Sequence, residues 1–125
     1  MDGIHLLGEW FDCGESAAFS HAQALRALCL ELTETAGLQA VGDRFHQFEP
    51  QGVTGTVLLA ESHLAIHTWP ESRSATVDVF VCNYASDNTA KATRLFDMLR
   101  EALSPQRVHE QEIRRGTEER VRRAA

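Results

Sequence analysis

The sequence predicts an α+β protein: a two-layer α/β sandwich whose mainly antiparallel sheet carries two helices on one face and buries the other in a dimer. Three observations lead there. Residues 52–84, GVTGTVLLAESHLAIHTWPESRSATVDVFVCNY, hold three apolar runs, about 53–60, 63–69 and 75–82, separated by polar turns at 61–62 and 70–74. Two stretches elsewhere repeat apolar residues every three or four positions, the spacing of a helix with one buried side. Both faces of the central strands are largely apolar, so helices on one face leave the other to a second copy.

Residues 3–12, GIHLLGEWFD, are dense in apolar and aromatic side chains and read as a first strand, ended by Cys13-Gly14. Phe19, Ala22, Leu25, Cys29, Leu32 and Ala36 then mark a helix, with Ser16 as its N-cap and Gly37 as its stop. Leu38 to Phe48 is a second strand, broken by Pro50-Gln51-Gly52. Phe45 and Phe48 near its end are either core or a stacking platform for a planar ligand. After Cys82, Asp87 is a candidate N-cap for a helix carrying Ala92, Leu95, Phe96, Leu99, Ala102 and Leu103, which Ser104-Pro105 stops. Gln106 to Ile113 adds an edge strand. One domain is expected over 1–113, and the arginine-rich 114–125 is expected to be a mobile basic tail.

With 125 residues and a formal net charge of -6, the chain lacks the basic field that holds nucleic acid through its phosphates, so nucleic acid is not expected as a partner. No apolar stretch approaches the roughly 20 residues of a membrane span, and Met1-Asp2-Gly3 is unlike a secretory start, so the expectation is a cytosolic protein with no membrane partner. Cys13, Cys29 and Cys82 form no CxxC pair, which suggests neither a disulfide framework nor a zinc knuckle. Lys91 is the single lysine and reads as exposed on a helix start, which argues against pyridoxal phosphate, whose internal Schiff base needs a lysine.

If the first hairpin is symmetric about Glu61-Ser62, Thr56 faces His67 and Leu58 faces Ala65. If the second is symmetric about Ser72, Ser62 faces Cys82 and His67 faces Val77. One face then carries Thr54, Thr56, Leu58, His63, Ala65, His67, Val77, Val79 and Val81, and the other Val57, Leu59, Leu64, Ile66, Phe80 and Cys82. No metal site is expected, because His63 and His67 on a regular strand stand about 13 Å apart, too far for one ion. Hydrolysis by Ser62 with a histidine and an acid is weakly signalled, since no Gly-x-Ser-x-Gly elbow is present.

The run ESHLAIHTWPE, with GVTG before it and VDVFVC after it, resembles the core of the short prokaryotic S-adenosylmethionine decarboxylase proenzymes. HLLGEWFDC, FHQF and RVHEQEIRRG extend the resemblance over almost the whole chain. The resemblance implies a self-processing enzyme cut between Glu61 and Ser62 into chains 1–61 and 62–125. Ser62 becomes a pyruvoyl cofactor, whose ketone condenses with the substrate amine and takes up the electrons as carbon dioxide leaves. It further implies His67 as the processing base, Cys82 as the acid that reprotonates the product carbon, and Thr54 in support of processing. Phe48, Trp69 and Glu71 fall at substrate contacts, the aromatics for adenine or the sulfonium and Glu71 for ribose hydroxyls. The product would be the aminopropyl donor for spermidine synthesis.

Two features stand apart. His67 lies five residues from Ser62, an odd spacing that places it on the other face of a regular strand. Either the chain kinks at the turn, or processing recruits His67 before the backbone settles. The chain also departs from the family pattern at Ser72-Arg73-Ser74, where an aromatic and glycine-containing turn is common, and at Asn83, where glycine is common. These departures keep open a pyruvoyl decarboxylase of ornithine, arginine or a similar amino acid; a non-processing regulatory homologue is a separate alternative.

Overall fold

A computed structural model describes residues 1–84 and 86–116 of the chain. Among these residues six strands form one sheet: β1 (Gly3–Phe11), β2 (Ala40–Gln47), β3 (Val53–Leu59), β4 (Ser62–Trp69), β5 (Ser74–Cys82) and β6 (Arg107–Arg115). Their order across the sheet is β2-β3-β4-β5-β1-β6, and every neighbouring pair is antiparallel. Helix α1 (Ala17–Ser20) lies by β4, α2 (Ala22–Thr35) covers β2 and β3, and α3 (Thr89–Leu103) covers β5 and β1, so the helices share one face. Between the layers Trp10, Leu25, Leu64, Ile66, Val77, Val79, Leu95 and Leu99 lose essentially all contact with water. Burial of that kind is the main stabilising term of such a fold.

The helix expected from Ser16 to Ala36 is two helices. His21 is extended (φ -120°, ψ 126°), and Gln47 of β2 fills the break: its side-chain oxygen accepts from the Ala22 N–H at 2.7 Å and its nitrogen donates to the Ser20 carbonyl at 2.9 Å. That amide supplies partners for the backbone groups the interrupted helix leaves open. Ser16 makes no side-chain cap. Gly37, at φ 88°, ends α2 as expected: its N–H donates to the Glu34 carbonyl, and the Leu38 N–H donates to the Thr33 carbonyl. Of the basic tail expected over 114–125, Arg114 and Arg115 belong to β6, paired with Ile4 and Gly3; residues 117–125 lie outside the described residues.

Strand register corrects the expected division of faces. The first turn is Ala60-Glu61, with Glu61 at φ 55°, so Thr54 pairs with His67 and Leu58 with His63. This slip of two keeps each side chain on its face. The second turn spans four residues, a 3-10 turn at Pro70–Ser72 closed by Arg73 at φ 49°. Its even length moves β5 by one, so His63 pairs with Phe80 and His67 with Thr76. A one-residue slip inverts a strand. Val77, Val79 and Val81 therefore pack under the helices, and Thr76, Asp78 and Phe80 join the open face.

The open face is consequently not the largely apolar surface expected. One row across the six strands reads His46, Thr54, His67, Thr76, Glu9, His109; the next reads Arg44, Thr56, Ala65, Asp78, Leu7, Gln111. A third reads Gly42, Leu58, His63, Phe80, His5, Ile113 and carries most of the apolar surface. No helix covers these rows among the described residues, and every member is half-buried or exposed.

Candidate active site

Strand β4 separates the expected site residues into two groups. At its start, the tight Ala60-Glu61 turn presents Ser62, whose Oγ accepts a hydrogen bond from the Cys82 backbone N–H at 3.0 Å. The expected Ser62–Cys82 proximity holds although the register slips, because both residues lie at the strand ends where β4 and β5 part. Glu61 is exposed on the turn in left-handed backbone, a conformation unusual for a residue with a side chain. Cys82 is 8% exposed, and the other two thiols, Cys13 and Cys29, are fully buried. Burial pushes Cys13 up to about 11 and Cys29 up to about 12, which keeps both protonated and unreactive at neutral pH.

The second group gathers at the far end of β4. Thr54 Oγ1 and His67 Nδ1 are hydrogen-bonded at 2.9 Å, and the His67 ring stacks on Trp69 with centroids 6.0 Å apart and planes 26° apart. These three residues line a cleft of about 320 Å³ with Phe48, Gln51, Gly52, Thr68 and Glu71. Phe48 is held there by a closed loop, in which its N–H donates to the Gly52 carbonyl at 2.9 Å and Gly52 adopts φ 106°. Phe48 is 48% exposed and Trp69 42%, so both rings offer free faces rather than filling the core. Phe45, within β2, packs against the core instead.

Thus Phe48, Trp69, Glu71, Thr54 and His67 come together, and Ser62, Glu61 and Cys82 come together, but the groups do not meet within one copy. Five residues of extended strand place His67 about 17 Å from Ser62. The strand is unkinked, which removes the first of the two explanations for the odd spacing.

Sequence reasoning missed Gln51 and Thr68 in the cleft and an aromatic cluster one row below Cys82. His5 meets His63 and Phe80 edge-on at 6.1 and 5.9 Å, and burial lowers its affinity for a proton, with Asp78 opposing and His63 and Arg115 adding. Only the inverted β5 brings Phe80 to this cluster. Two larger hollows, about 460 Å³ beside α1 and about 530 Å³ beside the end of α2, contain none of the expected site residues. Among the described residues no group of three or more His, Cys, Asp or Glu is arranged to hold a metal ion, and no helix is long and apolar enough to cross a membrane.

Comparison with known proteins finds relatives over almost the whole chain. The family model described as S-adenosylmethionine decarboxylase matches residues 4–116. The S-adenosylmethionine decarboxylase proenzyme of Persephonella marina is 37% identical over 92% of this chain and 83% of its own length. The proenzyme of Aquifex aeolicus is 37% identical over 91% of this chain and 81% of its own. The crystal structure of the adenosylmethionine decarboxylase from Aquifex aeolicus superposes with a TM-score of 0.83 at 35% identity, covering 92% of this chain and 91% of that one. The chain belongs to the S-adenosylmethionine decarboxylase family.

Proposed function

We propose that this chain is a pyruvoyl-dependent decarboxylase of S-adenosylmethionine that cuts itself between Glu61 and Ser62 and works as a homodimer in the cytosol. The observation that carries the reading is the hydrogen bond from the Cys82 N–H to Ser62 Oγ beside a left-handed Glu61. A donor on the hydroxyl oxygen stabilises the negative charge that develops there when it gives up its proton. Oγ then attacks the Glu61 carbonyl carbon and the peptide nitrogen leaves, giving an ester. Loss of the Ser62 Cα proton to a base expels the Glu61 carboxylate, and addition of water with release of ammonia leaves a pyruvoyl group at the new chain start.

The residues fit that group, since Ser62 stands half-buried at a turn with Cys82 beside it and no charged side chain hydrogen-bonded to it among the described residues. When formed, it supplies a ketone that binds the substrate amine covalently and draws off the electrons left by carbon dioxide. The chain's own residues do the rest. Phe48 and Trp69 offer ring faces to adenine and the cationic sulfonium, and Glu71 accepts from ribose hydroxyls. Cys82 is the proton donor for the product carbon, and His67, oriented by Thr54, is the processing base.

The division of the site supports the homodimer. A two-fold axis running across the strands, between two open faces, lays the first row of one copy over the third row of the other. His67 and Thr54 of one copy then approach Ser62 and Cys82 of its partner, and the apolar third row is covered. A subunit-mixing experiment tests this. A His67→Ala chain should be cut about a hundredfold more slowly alone yet at near the parent rate when co-expressed with a Ser62→Ala chain, which supplies the histidine. Failure of the mixture to cut faster would place His67 in the same chain's site. Release of carbon dioxide from S-adenosylmethionine, against ornithine and arginine as controls, tests the substrate.

A further inference from the structure

We propose that Asn88, held by Asn83, is a positioning residue that fixes Cys82 beside Ser62; the assignment rests on the decarboxylase reading above. Cys82 is the last residue of β5, where the chain leaves the sheet for α3. A proton donor at a strand end needs another anchor, because a misplacement of about 1 Å costs about a hundredfold in rate.

The hydrogen bonds supply that anchor. The Cys82 N–H donates to Ser62 Oγ at 3.0 Å, and the Cys82 carbonyl accepts from Asn88 Nδ2 at 3.0 Å. Both peptide groups flanking the cysteine are therefore tied to side chains. Asn88 is tied in turn: its own N–H donates to Asn83 Oδ1 at 2.8 Å, while Asn83 Nδ2 donates to Thr89 Oγ1 at 3.1 Å. The Asn83 N–H donates to the Asp2 carbonyl at 2.7 Å, which fastens the bracket to the start of the chain.

Helix capping does not account for this use of Asn88. It precedes α3 but makes no side-chain cap, although asparagine is among the best capping residues. Asp87 does the capping, its Oδ1 accepting from the Thr89 N–H at 2.9 Å. The Asn88 amide is thus free to reach back to Cys82, and α3, packed over β5 and β1, is the rigid body it reaches from.

The test compares Asn88→Asp, which keeps the size but replaces the donor with an acceptor facing the Cys82 carbonyl, with Asn88→Gln, which keeps an amide donor. In a Ser62→Ala background, where no cofactor forms, alkylation of Cys82 by iodoacetamide should rise about tenfold with Asn88→Asp, and less with Asn88→Gln. Cys13 and Cys29 serve as unreactive controls on the same peptide map. In the cut enzyme Asn88→Asp should lower kcat about tenfold with KM within about twofold, and Asn88→Gln should recover part of it. If Asn88→Asp does not fold, Asn83→Gly removes the hold on Asn88 and should shift both readouts the same way. Alkylation and kcat within about twofold of the parent, or equal losses from Asp and Gln, overturn the assignment. An uncut parent chain overturns the decarboxylase reading instead and leaves the alkylation result standing.

Discussion

Thr54 Oγ1 and His67 Nδ1 stand 2.9 Å apart as directly paired residues of β3 and β4, so the hydroxyl fixes the imidazole while Ser62 lies at the other end of the same strand. Nδ1 is engaged by Thr54, which leaves Nε2 as the nitrogen available for proton transfer. Thr54→Val removes the hydroxyl at nearly constant volume and should slow appearance of chains 1–61 and 62–125 about tenfold, while Thr54→Ser should cut normally. His67→Ala should slow it by about a hundredfold or more, the usual effect of losing a general base. Intact mass against time reads all three.

Ser62→Ala should give one uncut and inactive chain with a melting temperature near that of the parent before cutting. Cys82→Ala should still cut, because the Ser62 bond comes from the backbone N–H, which alanine keeps. Its decarboxylation should fall by about a hundredfold, as expected for a lost proton donor. Normal turnover by Cys82→Ala would remove the thiol from its assigned role.

Phe48→Ala should leave cutting unchanged and raise KM for S-adenosylmethionine about fivefold to tenfold, the value of one aromatic or cation–π contact. The prediction depends on Phe48 standing in the cleft rather than the core, with 48% of its surface exposed. A steady-state titration in which KM does not move would exclude the ring from the substrate cleft.

Gln47→Ala should destabilise the fold by about 1 to 3 kcal/mol, since it strips partners from the Ala22 N–H and the Ser20 carbonyl at the break between α1 and α2. Urea unfolding of the Ser62→Ala chain measures this without interference from cutting.

Acid stability should depend on Glu110. Burial pushes its carboxyl up, but hydrogen bonds from Arg100 (2.8 and 3.0 Å) and Trp10 (2.8 Å), with the Arg100 charge, leave it below the usual value. A depressed carboxyl stabilises the fold at neutral pH and loses that contribution as pH falls through its folded-state value, which lies below the ordinary glutamate range. Glu110→Gln should cost about 1 kcal/mol at pH 7, allowing for the partial exposure of the pair, and the gap should close in melts taken below pH 4.

How much was legible in the sequence follows from the reach of each signal. Helical stripes and turn residues act locally, so α3, β1 and the central meander stand close to where the pattern puts them. The break at His21 was invisible, because the group that mends it is Gln47, 26 positions away. The orientation of β5 was also hidden: Val77, Val79 and Val81 alternate with Thr76, Asp78 and Phe80, and either set reads as a face until the length of the Pro70–Ser72 turn is known. Phe48 and Trp69 show the same limit, since aromatic residues fill cores and clefts alike.

The sequence by itself determined the α+β class and the family, and it pointed to the residues proposed to carry chemistry, because these rest on local periodicity and on a motif read in chain order. Only the tertiary structure decided which of those residues meet. Strand pairing is set by turn geometry, and a strand holds residues five apart at a fixed separation. That rigidity joins Ser62 to Cys82 and Thr54 to His67 and keeps the pairs apart in one copy, while Asn88 reaches Cys82 from the segment just before α3, which the motif does not include.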